Sequence, residues 1–211
     1  MTSAAQEDDN GRGRPSSASR AGLDLVVVGC SWGGLAAAAR LLEALPPEFT
    51  VPTVIVQHRT EAPSALAELL SRHTARPVVE PDDKDQVQPA HVYLAPPGYH
   101  LLIDRCRFSL DTEAPVRYSR PSVDVLFESA AEAYGHRLAA VVLTGANDDG
   151  AAGLARIAAV GGLALVQDPN EAERPTMPAA ALAAVPTAVV GGIVVLARNL
   201  AAAAQPLAEQ T

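Results

Sequence analysis

From Leu23 onward the chain alternates short β-branched runs with longer Ala/Leu-rich segments, and this alternation limits the fold more than any other feature. Runs such as 23–29 (LDLVVVG) and 138–144 (LAAVVLT) are apolar at nearly every position, so both of their faces must be covered. Helices on the two sides of a parallel sheet supply that cover. The segment 33–45 (GGLAAAARLLEAL) reads as a helix stopped by Pro46-Pro47. A strand at 53–57 (TVIVQ) is followed by a helix over 62–72, in which Leu66, Leu69 and Leu70 share a face. The stretch 77–110 is less regular, with short strands at VVE and HVYLAPP and a hairpin turning at Asp104-Arg105-Cys106. Ser122 then caps a helix running to Tyr134. A strand at 138–144, a helix at 150–160, a strand at 163–167, a helix at 177–184 and a last helix from Asn199 complete the series. The expected fold class is α/β: a single doubly wound, mostly parallel, Rossmann-like sheet with flanking helices and a small β-hairpin.

Hydrophobic residues make up 48% of the 211 and charged residues 19%, enough apolar material for one core over 21–200. The Ser-, Gly- and Arg-rich stretch 1–20 reads as a disordered tail, and 201–211 as a helix end that frays. Sixteen basic against 24 acidic residues leave a net charge of -8, which argues against nucleic acid or an anionic membrane as partner. The uncharged run 175–197 is long enough to cross a bilayer, but Pro186 and Gly191-Gly192 divide it, so no membrane insertion is expected. Cys30 and Cys106 form no CxxC pair and the N-terminus has no apolar signal segment. Both observations point to reduced thiols in a cytoplasmic protein.

In an open parallel sheet, ligands gather beyond the carboxyl ends of the strands. The first strand ends in Gly29-Cys30-Ser31-Trp32-Gly33, a G-x-S-x-G pattern between strand and helix. Flanking glycines allow a sharp turn that lifts the Ser31 hydroxyl clear, with backbone N–H groups at the helix start aimed at the same space to hold an oxyanion. The second strand runs into His58, and the strand 138–144 into Gly145-Ala146-Asn147-Asp148-Asp149-Gly150. Each feature alone has an ordinary reading: a turn serine, a strand-end histidine, and an aspartate capping the next helix. Together they supply nucleophile, general base and orienting carboxylate. No cofactor is expected, because Ser31 stands where a dinucleotide fingerprint needs its middle glycine and Gln57 where it needs a ribose-binding acid. Asp148, Asp149 and Asp168 have no His or Cys spacing beside them, so no metal is expected either. The order Ser31, His58, Asp149 departs from that of the α/β-hydrolases. His73, His91, His100 and His136 show no partner in the sequence and are read as surface or structural.

The segments VVVGCSWGG, VIVQH, VYLAPPGYHLL, RPSVDVLFESAA, VVLTGANDDGAAGL, GGLALVQDP and MPAAA together resemble the catalytic domain of the CheB-type chemotaxis protein-glutamate methylesterases. The resemblance runs from Leu23 to about Leu200. It implies Ser31 as nucleophile, His58 as general acid/base and Asp149 as its partner, with Asp148 at a variable position. The implied reaction is hydrolysis of a glutamate methyl ester on a protein, a chemoreceptor-type partner, with release of methanol and with glutamine deamidation as a related activity. The family usually carries a small hydroxyl residue where this chain has Trp32, Met-Gly where it has Ala146-Asn147, and Phe-Gly where Pro175-Thr176 precede Met177-Pro178. Trp32, Gly33, Ala146 and Met177 are therefore the expected oxyanion and substrate-binding positions. Chemotaxis methylesterases commonly carry an N-terminal receiver domain, for which the residues before 21 are too few, so control is expected to come from a separate regulatory protein or to be absent. The competing readings are a non-catalytic signalling module in which Trp32 blocks a vestigial site, and an esterase or amidase with another substrate.

Overall fold

In the computed structural model, which describes residues 22–60 and 65–205, the apolar runs form a seven-stranded sheet in the order β3-β4-β2-β1-β7-β8-β9. Its strands are β1 (Leu25–Cys30), β2 (Thr53–Gln57), β3 (Val78–Val79), β4 (Val92–Leu94), β7 (Leu138–Val142), β8 (Leu163–Gln167) and β9 (Val189–Gly191). Every pairing in it is parallel. The remaining strands, β5 (His100–Asp104) and β6 (Arg107–Asp111), pair antiparallel as the separate hairpin. Among the described residues five α-helices lie between strands, α1 (Gly34–Ala44), α2 (Leu66–Ser71), α3 (Val123–Tyr134), α4 (Ala151–Ala159) and α5 (Thr176–Ala184), and α6 (Ile193–Ala204) follows β9.

The continuous apolarity of the strands is explained by two cores, one on each face. Leu25 and Val27 of β1 point into a cluster built with α3, α4, α5 and the hairpin. Val26, Val28 and Cys30 point into another built with α1 and α6. All six β1 side positions are buried, and each fully buried Val or Leu is worth about 1.5–3 kcal/mol. The chain leaves β1 toward β2 on one side and returns to pair with it through β7 on the other. The carboxyl end of β1 is thus the topological switch point, where crevices open in such sheets.

Several expected boundaries move. The last helix begins at Ile193 and not at Asn199, because Gly191 and Gly192 end β9 at once and the apolar residues Ile193, Leu196, Ala197 and Leu200 recur at helical spacing. The run 175–197 is accordingly α5, β9 and the start of α6, and among the described residues no helix is long and apolar enough to cross a membrane. Helix α2 starts at Leu66; of its three leucines only Leu70 is buried, and Leu69 lies exposed. The disordered tail expected at 1–20 and residues 206–211 of the frayed end expected at 201–211 lie outside the described residues, and helix α6 runs to Ala204.

Neither described cysteine is disulfide-bonded: Cys30 is buried and Cys106 exposed. Burial pushes the Cys30 thiol up to about 12, which keeps it from forming the reactive thiolate. One thiol should therefore react with a disulfide reagent in the native protein and two in denaturant. Two fast native equivalents would show that the β1 end is open.

Candidate active site

The G-x-S-x-G segment folds as a tight exit from β1 into α1, but its two glycines do different work. Gly33 takes the left-handed conformation, φ 72°, as the N-cap of α1. Gly29 remains in the strand; a Cβ there would meet Val123 Cγ1 at 2.2 Å, so its lack of a side chain lets the start of α3 close over β1. Between them Ser31 is half-buried and held entirely by its backbone. Its N–H donates to Thr144 O at 3.0 Å, and its carbonyl accepts from Gly34 N and from Gln57 Nε2, each at 2.8 Å. Gln57 Nε2 also donates to the His58 carbonyl at 3.0 Å, and its Oε1 accepts from the Cys30 thiol at 3.2 Å. The residue whose identity argued against a ribose site thus ties the ends of β1 and β2 together, setting Ser31 and His58 on one edge.

His58 Nε2 lies 2.7 Å from Asp149 Oδ2. Asp149, 1% exposed, does not cap the helix that follows it: the N-cap of α4 is Gly150. It sits instead at the N-terminus of α3. Its Oδ1 accepts from Ser122 Oγ and Asp124 N at 2.9 Å, and its Oδ2 from Val123 N at 2.8 Å. Asp124 returns the favour to α4, its Oδ1 accepting from Gly150 N at 2.9 Å and Gly153 N at 2.7 Å. Each helix start is thereby satisfied by an aspartate of the other segment, which accounts for acids in both RPSVD and NDDG. Burial pushes the Asp149 carboxyl up, but the hydrogen bonds from His58 and from the Asp124 and Val123 amides outweigh it and hold the group below its ordinary value. Asp124 goes the other way: burial raises it, the Gly153 amide opposes, and the Asp149 charge raises it further. Of these two acids, only Asp149 is held below its ordinary value.

An ionised Asp149 requires a donor at His58 Nε2, so the neutral ring carries its proton there and its lone pair at Nδ1. The Asn147 amide Nδ2 lies 3.4 Å from that Nδ1, while Asn147 Oδ1 accepts from Asp149 N at 3.3 Å. Beside Ser31, Trp32 is 58% exposed. Its indole N–H donates to Glu173 Oε1 at 2.8 Å, and the Arg174 guanidinium lies over its ring at 5.2 Å from the centroid. The Thr144 hydroxyl joins these segments, donating to Trp32 O at 2.9 Å and accepting from Arg174 N at 2.8 Å. Ala146 is exposed on the same loop. Met177, 1% exposed, is in the core and not on the open face; a Cβ at Gly145 would strike its Sδ at 1.8 Å and meet the Ser31 Cβ at 3.0 Å, so it packs behind the serine.

Five contributors escaped the sequence reading: Gln57, Ser122, Asp124, Asn147 and Arg117, whose Nε donates to Asp124 Oδ2 at 3.0 Å and whose Nη1 pairs with Asp148. The signal for Ser122 was present in RPSVD but was read as helix capping alone, and Asp124 in the same segment was not singled out. His100, set aside as surface or structural, is 2% exposed; its Nδ1 accepts from Ser122 N at 3.2 Å and its Nε2 donates to Ala114 O at 3.2 Å, so it is a structural strut under the Asp149 cradle.

A family model described as CheB methylesterase matches residues 26–200. A Leptospira interrogans protein, named provisionally as a protein-glutamate methylesterase/protein-glutamine glutaminase, is 44% identical over 163 residues, 76% of this chain and 84% of that one. The protein-glutamate methylesterase/protein-glutamine glutaminase of Trichodesmium erythraeum is 40% identical over 69% of this chain, which spans 43% of its length. The crystal structure of the Thermotoga maritima CheB methylesterase catalytic domain superposes with a TM-score of 0.79 at 29% identity, covering 86% of this chain and 99% of that one. The chain belongs to the CheB methylesterase family.

Proposed function

We propose that this protein is a protein-glutamate methylesterase and protein-glutamine glutaminase that acts on methylated glutamates of a chemoreceptor-type protein through Ser31, His58 and Asp149. The observation that carries this reading is the buried carboxylate 2.7 Å from His58 Nε2, which leaves Nδ1 as the basic nitrogen at the strand edge that also holds Ser31. Ser31 Oγ attacks the ester carbonyl carbon and His58 Nδ1 takes its proton. The oxyanion is met by the Trp32 and Gly33 N–H groups, which have no partner among the described residues. Collapse of the tetrahedral intermediate expels methoxide, protonated by the Nδ1–H as methanol. Water then attacks the acyl-serine, giving up its proton to Nδ1, and glutamate leaves as Ser31 is restored. With glutamine the same steps release ammonia.

The test is methanol release from a glutamate-methylated receptor fragment, beside an active methylesterase as control. Stoichiometric methanol that is lost with Ser31→Ala is the expected result. No methanol while the control is active would move the assignment to another ester or amide, or to a binding module.

Trp32 supports a narrower reading of specificity, since an exposed indole braced by Glu173 and Arg174 adjoins the nucleophile. Trp32→Thr is expected to raise kcat/KM on the methylated fragment by roughly tenfold, the scale of one pocket contact. An unchanged value would remove bulk at residue 32 as the obstacle.

A further inference from the structure

Between β6 and α3 the chain makes a two-residue hairpin turn, closed by Val116 N to Ser119 O at 3.1 Å and Ser119 N to Val116 O at 2.8 Å. Both central residues are left-handed, Arg117 at φ 48° and Tyr118 at φ 64°. Such turns favour Asn, Asp and Gly, because a larger L-residue is strained at positive φ. Strain of this kind persists where the surroundings hold it and where the side chain has a use. For Arg117 that use is visible: it bonds Asp124 and pairs with Asp148, gripping the loop that carries Asp149. Tyr118 has no comparable reward within the chain, for its side chain is fully exposed.

The turn is nevertheless fixed in position. Arg120 Nη1 donates to the carbonyls of Thr112 at 2.8 Å and Glu113 at 3.1 Å, and His100 holds Ala114 O. Tyr118 therefore stands at the rim of an open cleft of about 440 Å³, which it lines with His58, Arg59, Thr60, Pro115, Ser119 and Arg120. The cleft has two arginines and no acid among these residues, Arg59 being paired with Glu80 at 2.8 Å. A rigid aromatic with few rotatable bonds, poised in solvent beside the base of a catalytic site, is what a protein-binding lip requires.

We infer that Tyr118 is a substrate-contacting residue: its ring packs against the peptide segment that carries the target side chain while that side chain enters the cleft beside His58. This rests on the methylesterase reading above and adds to it the surface by which a protein substrate is told from a small ester.

The test compares wild type, Tyr118→Ala, Tyr118→Phe and Tyr118→Gly on two substrates, the methylated receptor fragment and p-nitrophenyl acetate. In the Ala and Gly variants KM for the fragment should rise by about tenfold, the loss typical of an aromatic anchor, with kcat and p-nitrophenyl acetate hydrolysis unchanged. Tyr118→Phe should keep the wild-type KM. Tyr118→Gly should also melt higher than wild type, since glycine relieves the left-handed position, so that weaker capture is separated from loss of fold. A fragment KM within twofold of wild type in both the Ala and Gly variants overturns the inference alone. Wild type that hydrolyses p-nitrophenyl acetate but leaves the fragment untouched overturns the methylesterase reading and this inference with it, and does so before any Tyr118 variant is made.

Discussion

Ser31→Ala should lower turnover by about 10⁶-fold, the loss seen when a triad serine is removed, and shift the melting temperature by no more than about 2 °C. The asymmetry follows from how Ser31 is held. Its fixed contacts are backbone ones, to Thr144, Gly34 and Gln57. The close neighbour of its side chain is Gly145, which approaches the Cβ that alanine retains. The residual rate should come from the oxyanion N–H groups and from substrate positioning. Activity that survives within tenfold would mean that Ser31 is a turn residue and that the nucleophile lies elsewhere.

Asp149 is expected to behave differently, because the two oxygens proposed to serve the chemistry also hold the head of α3. In Asp149→Asn the carboxamide can donate to His58 Nε2, which shifts the ring proton to Nδ1 and blocks the nitrogen that must accept from Ser31. A loss of about 10⁴ in kcat is expected from the wrong tautomer. Asp149→Ala goes further, leaving the Ser122 hydroxyl and the Val123 and Asp124 amides without their acceptor. Breaking such a buried charged cradle costs about 3–5 kcal/mol, a fall in melting temperature on the order of 10 °C for a domain of this size. The sign of the pH dependence is set by the depressed carboxyl. Its contribution is fully present above the unfolded aspartate value of about 3.9 and is lost as pH falls through the lower folded value. The stability gap between wild type and Asp149→Ala, measured by denaturant melts, should therefore close as pH drops below about 4. A gap that is constant from pH 7 to pH 3 would contradict the ionised cradle.

The site geometry also separates two roles that one motif had merged. Gly29 and Gly33 were both read as turn glycines, yet Gly29 is a packing glycine against Val123 and only Gly33 adopts the left-handed turn. Asp149 was weighed as an ordinary cap of α4 and is in fact the acceptor at the head of α3. In both cases the local pattern was right about the residue type and silent about its partner.

What this sequence determines by itself is the alternation of elements and the edge where chemistry gathers. Apolar runs buried on both faces can only be the inner strands of a covered sheet, and strand ends followed by Ser31, His58 and the 145–150 loop fall on one side of it. Weak local periodicity limits the reading where an element is short or abuts another, as at β3, β9 and the start of α6. Tertiary structure alone decides which nitrogen of His58 faces Asp149, that Gln57 fastens Ser31 to His58, and that Asp124 and Asp149 exchange helix ends. It alone sets Met177 behind Ser31 and Tyr118 in front of the cleft. The physical reason is one of range. Burial pattern and helix punctuation are written into neighbouring residues, whereas a hydrogen bond between positions 58 and 149 depends on strand order and register, which no short stretch of chain encodes.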